Sequence, residues 1–463
     1  MGDALGRAGG ARGVPRGADA PARGGRPLEP HAGDARLSGP DSAARRAAYG
    51  ILASVARGAP FDAARDRAVD GLDERDRRLA HELAAGVLRR RGDLDTALAP
   101  LTEHGWESVA PKLRDVLRLG AYQLLELDKV PAHAAVSTST ELAKRVAGER
   151  AARFVNAVLR RLAERGAPAG SEAGSRRSHP AWLVLRWDAR FGVEGTKELL
   201  LWNDTPPPLV VQPARWSAAQ LEAAFRQEGL HVRAAPYGAG LVVEGRTPTA
   251  LPGFAEGGFV VQDPAQALVA RYADVPEGAT VYDACAAPGG KTIALGRAAG
   301  ATGRVIAGDR NVARVRRLTQ NLARAGSGRE HPIAADAAAP PVRPCDVVLL
   351  DAPCLGTGTF ARHPDARWKV DPRALELVVS RQRALLHGAA TVVRPGGLLV
   401  YATCSIEPEE NEGQVERFLA DHPGFRREPG PELAGRTAAG DLALLPHVHG
   451  TDGAFCARLR RVA

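Results

Sequence analysis

Five apolar runs in the second half of the chain each stop on a polar head group: "TVYD" on Asp283, "GRVIAGD" on Asp309, "HPIAAD" on Asp336, "DVVLLD" on Asp351 and "LLVYATC" on Cys404. Helix-like stretches separate them. Regular alternation of this kind from about Val275 onward predicts a mostly parallel, doubly wound α/β sheet. Open parallel sheets bind ligands outside the carboxyl ends of their strands. The five terminal residues are therefore expected along one edge, and the chemistry of the chain with them.

The preceding sequence divides by composition. Residues 1–40 are mostly Gly, Ala, Pro and Arg with few large apolar groups. Such a segment cannot bury enough surface to offset its ordering entropy and is expected to be disordered. Residues 41–165 carry helical periodicity. Asp41 or Ser42 can cap a helix containing Ile51, Leu52 and Val55, and Asp73 can cap another with Leu79, Leu83 and Val87. Pro111 suits a first helical turn. In "ERAARFVNAVLRRLAE" the apolar face is Phe154, Val155, Val158 and Leu162. That leaves Arg150, Arg153, Arg160 and Arg161, with Lys144 and Arg145, as either a phosphate-binding face or an ordinary solvated surface. Residues 166–179 read as a linker, 180–275 as a small α/β subdomain, and 276–463 as the catalytic sheet domain.

The net charge is +9, which favours an anionic partner such as nucleic acid but equally suits a merely soluble basic protein. Five cysteines with no CxxC pair argue against a disulfide framework and against a zinc site, and point to a reducing cytosol. No apolar run reaches the roughly 20 residues of a membrane span, and no secretory signal is expected at the N-terminus. The pair His447 and His449 has metal-like spacing but no accompanying ligand set, so no metal is expected.

"ATVYDACAAPGGKT" is a strand that runs through a Gly-Gly turn into a helix. Backbone amides in such a turn approach a nucleotide-like ligand closely. A phosphate-binding loop of the GxxxxGK[ST] type competes for this segment, since Gly290, Lys291 and Thr292 match it, but Cys285 stands where it needs glycine. Asp309 at the next strand end suits ribose hydroxyls, and Asp336 at the third suits an adenine amino group. Three acids at successive strand ends fit an adenosine better than a triphosphate.

Cys354 follows Asp351 in "DAPCLGTGT", and Cys404 ends the neighbouring apolar strand. A lone cysteine is usually a small buried hydrophobe, and Cys285, Cys345 and Cys456 are read that way. Two thiols in loops at the reacting edge, beside a carboxylate, invite nucleophilic chemistry.

"DACAAPGGKT", "DAPCLGTGT", "RHPDARW" and "YATCSIEPEEN" resemble the motif series of the NOP/Sun family of RNA cytosine-5 methyltransferases. "DERDRRLAHELAAGVLRRRGDLD", "LRLGAYQLLELDKVPAHAAVSTSTELAK" and "RFVNAVLRRL" resemble the helical RNA-binding fold of the NusB antitermination factor. The resemblance implies a Rossmann-like S-adenosylmethionine-dependent methyltransferase domain preceded by an all-α NusB-like domain and a small α/β subdomain. It implies contacts to S-adenosyl-L-methionine from Cys285, Ala286, Ala287, Pro288, Gly289, Gly290 and Lys291, and from Asp309, Asp336 and Asp351. It makes Cys404 the nucleophile, Cys354 the residue that assists product release, and 16S ribosomal RNA the substrate. Methylation of another RNA such as tRNA, or a non-catalytic RNA-binding factor, are the alternatives, and a cytoplasmic monomer is expected. Asp351 can hydrogen-bond the pyrimidine ring, and Lys291 would lie with the cofactor loop or the target ring. His363 and Arg367 either line the RNA cleft or belong to a purely structural turn. Leu355 departs from the small polar residue usual after Cys354, and Ala454 from a common aromatic, which is expected to loosen packing under the last strand.

Overall fold

The computed structural model describes residues 41–166 and 174–462. The N-terminal extension, residues 167–173 of the expected linker, and the side chains of Asp41 and Ser42 lie outside the described residues.

Seven helices open the described chain: α1 (Asp41–Ala56), α2 (Phe61–Ala68), α3 (Glu74–Arg89), α4 (Arg91–Leu98), α5 (Pro111–Leu125), α6 (Ala132–Ala147) and α7 (Glu149–Arg165). Each buries one apolar face in a shared core that includes Ile51, Leu83, Leu117, Val155 and Val158. The Asp73 carboxylate caps α3 by accepting from the Asp76 amide at 2.7 Å, and Pro111 occupies the first turn of α5. On α7 the buried face is Ala151, Ala152, Val155, Val158, Leu159 and Leu162, while Phe154 is half-buried. Arg150, Arg153, Arg160 and Arg161 face solvent. Lys144 and Arg145 are exposed but engaged, with Glu149 at 2.9 Å and Glu141 at 3.1 Å.

Residues at the end of the expected linker are packed. Ser178 is fully buried and donates to Asp93 at 3.0 Å, and the Gly174 amide donates to Asp204 at 3.0 Å. Buried carboxylates must find donors, and this segment supplies them. Helix α8 (Ala181–Asp204), broken at Gly192, lays Leu183, Trp187 and Leu199 against Phe360 and Ile406. A small antiparallel sheet follows, ordered β2-β3-β1-β4 from β1 (Leu209–Pro213), β2 (Val232–Ala234), β3 (Leu241–Val243) and β4 (Phe259–Val261), with α9 (Ala218–Gln227) packed on it. Helix α10 (Pro264–Tyr272) leads into the main unit.

The main sheet comprises β5 (Thr280–Asp283), β6 (Arg304–Asp309), β7 (Glu330–Ala334), β8 (Cys345–Asp351), β9 (Val393–Thr403), β10 (Phe425–Arg427), β11 (Leu442–Leu444) and β12 (Ala454–Arg461). Its order is β10-β12-β9-β8-β5-β6-β7, with β11 also on β12. The run from β9 to β7 is parallel; β12 is antiparallel to β9, and β10 and β11 to β12, so the sheet is mixed. Crossover helices α11 (Gly290–Ala298), α12 (Val312–Ala325) and α13 (Pro372–Thr391), with α14 (Glu412–Asp421) and the short α15 (Pro446–His449), cover and edge it. Burial on both faces explains why β8 reads as a continuous apolar run. No described helix is long and apolar enough to cross a membrane.

Replacing Asp73 by Ala removes the α3 cap and should cost about 1 kcal/mol. Thermal unfolding of the two proteins checks this: the variant midpoint should be lower, and an unchanged midpoint would mean the cap carries no stability.

Candidate active site

The strand order dictates the order of head groups along the carboxyl edge. From β9 through β8, β5 and β6 to β7 it runs Cys404, Asp351, Asp283, Asp309, and then Asp336 just beyond the end of β7. The parallel register of β8 with β9 sets Asp351 opposite Ala402. Each chain then turns inward, and the sulfurs of Cys354 and Cys404, 50 residues apart in sequence, come to 3.1 Å. Both thiols are free. Contact with Cys404, then burial and the nearby Glu410 carboxylate, push the Cys354 thiol well above the ordinary cysteine range. Cys354 therefore keeps its proton at neutral pH. Burial pushes Cys285 up to about 12 and Cys345 to about 11, and it also raises Cys456.

Lys291, at the start of α11, donates to Asp351 at 2.6 Å and also to Gln266. Burial works against its charge, but the Asp351 carboxylate outweighs it and raises the lysine, with Cys404 acting in the same direction. The ammonium is thus held against the Asp351 carboxylate. Asp351 itself keeps 28% of its side chain exposed.

The turn between β5 and α11 has the shape expected of a nucleoside-binding loop. Gly289 sits at φ 111°, a left-handed conformation that disfavours a side chain, and a Cβ there would also meet Leu318 at 2.9 Å. Ala286 and Ala287 pack inward with Ile293 and Leu318, and Pro288 is exposed. The Ala286 amide donates to the Gly308 carbonyl at 2.9 Å, tying the loop to β6. Asp309 accepts from the Asn311 amide at 2.9 Å, while its buried Oδ2 has no hydrogen-bond partner in the described structure and lies 3.4 Å from Arg314. A tight glycine turn beside a buried acceptor suits a nucleoside with ribose donors. Asp336 accepts from the Ala338 amide at 3.0 Å and lies 3.8 Å from Arg310. Among the described residues no group of His, Cys, Asp and Glu could hold a metal ion.

Several residues that build the site were not singled out from the sequence. Glu410 is fully buried beneath the cysteine loops, accepts from the Leu355 amide at 2.9 Å and Gln382 at 3.0 Å, and receives the Ser405 hydroxyl. Thr357 donates to or accepts from Ser405 at 3.1 Å and accepts the Ile406 amide at 3.0 Å. Gly358 donates its amide to the Cys404 carbonyl at 3.1 Å and accepts from Gly453 at 2.7 Å. A Cβ on Gly358 would fall 2.6 Å from the Gly453 Cα. Arg362 bridges Asp263 at 2.8 Å and Asp452 at 2.9 Å. The signals available were the acidic "EPEEN" run and the glycines of "LGTGT" and "HGTDG".

Of the two roles open to Arg367, the structural one holds. It is fully buried, paired with Asp204 at 2.8 Å, and lines no cleft. His363 is half-buried and lies 3.6 Å from Asp62 of the front helices. His447 packs edge-on to Phe191, with ring centroids 5.1 Å apart, and His449 bonds the Leu445 amide at 2.9 Å. A cavity of about 300 Å³, lined by Ser405, Ile406, Leu444, Ala454 and Phe455 among others, lies beside Ala454.

The chain is an S-adenosylmethionine-dependent methyltransferase acting on RNA, as its matches to known families show. Residues 271–460 match the family described as 16S rRNA methyltransferase RsmB/F, and residues 42–164 match the NusB family. The probable ribosomal RNA small subunit methyltransferase B of Synechocystis is 36% identical over 90% of this chain and 99% of its own. The ribosomal RNA small subunit methyltransferase B of Thermus thermophilus is 37% identical over 90% of this chain and 98% of its own. The crystal structure of PH0851 superposes with TM-score 0.79 and 25% identity over 92% of this chain and 100% of that one. The chain belongs to the RsmB/F family of rRNA methyltransferases.

Two outcomes follow from this geometry. Gly358→Ala should displace the Cys404 carbonyl or the Gly453 backbone and lower methyl transfer about tenfold or more; normal activity would mean the close approach is dispensable. Burial raises Asp283 to about 7 from 3.8, although Thr292 donates to it at 2.7 Å. An acid raised in the folded state binds protons there first, so its penalty on stability is absent below the unfolded pKa and grows as pH rises towards the folded one. Asp283→Asn should flatten the fall in stability between pH 4 and 7, read by denaturant titration at several pH values, and an unaltered slope would contradict the assignment.

Proposed function

We propose that this enzyme methylates C5 of a cytosine in 16S ribosomal RNA through a transient bond between Cys404 and C6 of the ring. The observation that carries this reading is the 3.1 Å contact between two reduced thiols at the edge where Asp351 and Lys291 also converge. Cytosine C5 is a weak nucleophile until a group adds to C6, and a thiolate is suited to that addition. Cys404 gives its proton to Asp351 and its thiolate adds to C6, while Asp351 delivers that proton to N3 and so neutralises the charge entering the ring. The cofactor, when bound, supplies a methyl group already activated by its sulfonium.

Cys354 then serves release. Its proton is held chiefly by the neighbouring Cys404 sulfur. Once Cys404 is a thioether that contact no longer favours the protonated thiol; Cys354 then loses its proton to solvent, and its thiolate takes the C5 proton. The electrons of that C–H bond form the C5–C6 double bond, the C6–S bond breaks, and Cys404 leaves as thiolate. Lys291 holds Asp351 in place and sets a positive charge beside the reacting sulfur. Residues 285–291, Asp309 and Asp336 are proposed to hold the cofactor, and residues 41–165, through the exposed arginines of α7, to hold RNA as part of a monomer in the cytoplasm.

Methyl transfer from radiolabelled S-adenosylmethionine to small-subunit rRNA tests the reading. Cys404→Ala should be inactive without a protein–RNA adduct on denaturing gels, and Cys354→Ala should accumulate the adduct. Normal methylation by both variants would remove the two-cysteine mechanism.

A further inference from the structure

The segment that follows Cys354 is held at both ends. Toward the sheet, Thr357 and Gly358 bond the loop that carries Cys404. Away from it, Phe360–Lys369 is gripped by the front helices. The Arg367 guanidinium, with no exposed surface, gives Nη1 to Asp204 at 2.8 Å, to the Ser178 carbonyl at 3.2 Å and to the Arg89 carbonyl at 3.3 Å. Its Nη2 reaches the Asn203 carbonyl at 2.7 Å and the Phe360 carbonyl at 3.3 Å. Arg89 in turn donates to the Ala361 carbonyl at 2.9 Å, and the Trp368 indole donates to the Leu88 carbonyl at 2.8 Å. Asp365 accepts the Phe61 amide at 3.3 Å and Lys369 at 2.7 Å.

One buried cation therefore joins α3, the end of the expected linker, the end of α8 and the loop of the release cysteine. Guanidinium is the side chain suited to this, because its fixed fork of five donors satisfies several carbonyls and one carboxylate at once. The bonds to Phe360 and Ala361 lie immediately after the residues that touch the Cys404 loop, so a shift of the front helices passes directly into the separation of the two sulfurs. Displacements of about 1 Å at reacting groups cost on the order of 100-fold in rate.

We propose that Arg367 is a positioning residue for the methylation reaction: it anchors the Cys354 loop to the helical front unit so that release keeps pace with adduct formation. This rests on the two-cysteine reading above. It makes the front helices part of the catalytic geometry as well as a surface for RNA.

The test compares Arg367→Gln, Arg367→Lys and Trp368→Phe with wild type and with Cys354→Ala in the full-length enzyme. Three quantities are read: initial methyl-transfer rate, the fraction of protein trapped as RNA adduct, and the affinity for S-adenosylhomocysteine. Arg367→Gln should turn over about 10- to 100-fold more slowly with a raised adduct fraction. Arg367→Lys should recover part of the loss, and Trp368→Phe, which removes a single N–H donor, should move the adduct fraction in the same direction by less. Cofactor affinity should stay within about twofold, because the loop of residues 285–291 makes none of these contacts. The proposal is overturned if the Arg367 variants lose rate in step with cofactor affinity while the adduct fraction stays at the wild-type level. It is also overturned if the Trp368 variant, which keeps the guanidinium and its partners, shows no change in adduct. Should Cys354→Ala itself trap no adduct, the two-cysteine reading fails instead, whatever the Arg367 variants do.

Discussion

The parallel pairing of β8 with β9 is the constraint on which the rest of the site depends. It places Asp351 opposite Ala402, and only then can Cys354 and Cys404 meet across a gap of 50 residues. A register slip of one residue would turn every side chain of β9 to the other face and separate the thiols. The register is protected because both strands are buried on both sides, with Val348, Leu350, Leu399 and Tyr401 in one core and Val347, Leu349, Leu398 and Val400 in the other. The hydrophobic core of the sheet and the geometry of the candidate active site are thus the same set of contacts viewed from two ends.

Three buried cations, each paired with carboxylate, fix the segments around the site. Lys291 with Asp351, Arg362 with Asp263 and Asp452, and Arg367 with Asp204 are each largely or wholly buried and each joins segments distant in sequence. Buried ion pairs are weak sources of net stability, since desolvation consumes most of their attraction, but breaking one partner leaves an uncompensated charge. Their effect here is to fix where segments lie. Burial raises Asp263 to about 6, with the neighbouring Asp452 acting in the same direction, and Arg362 is the cation that keeps the two acids together.

The alternation of strands and helices was legible because parallel strands buried on both faces read as uninterrupted apolar runs, and because strand ends fall where "VYD", "AGD" and "LLD" stop. The helical front was legible from its caps and periodicity, down to Asp73 and Pro111. The antiparallel β10 and β11 were not resolved from the sequence, because strands of three residues carry little periodic signal. The role of Arg367 stayed open between cleft and structural turn for a physical reason: an arginine in a Pro- and Asp-containing turn resembles a surface residue, and only tertiary packing reveals that Asp204 and four carbonyls surround it. Gly358 and Gly453 were equally silent, since a backbone-to-backbone contact leaves no trace except the absence of side chains.

The central claim is that the sulfur of Cys404, not that of Cys354, bonds to the target ring. RNA carrying 5-fluorocytidine at the target position should trap the enzyme, because fluorine at C5 blocks the final elimination. Digestion of the trapped complex and peptide mass mapping would locate the modified cysteine. The account predicts the ribonucleotide mass on the peptide containing Cys404 and an unmodified Cys354. The same mass on Cys354, or full methylation of natural RNA with no trapped species from the fluorinated one, would contradict it.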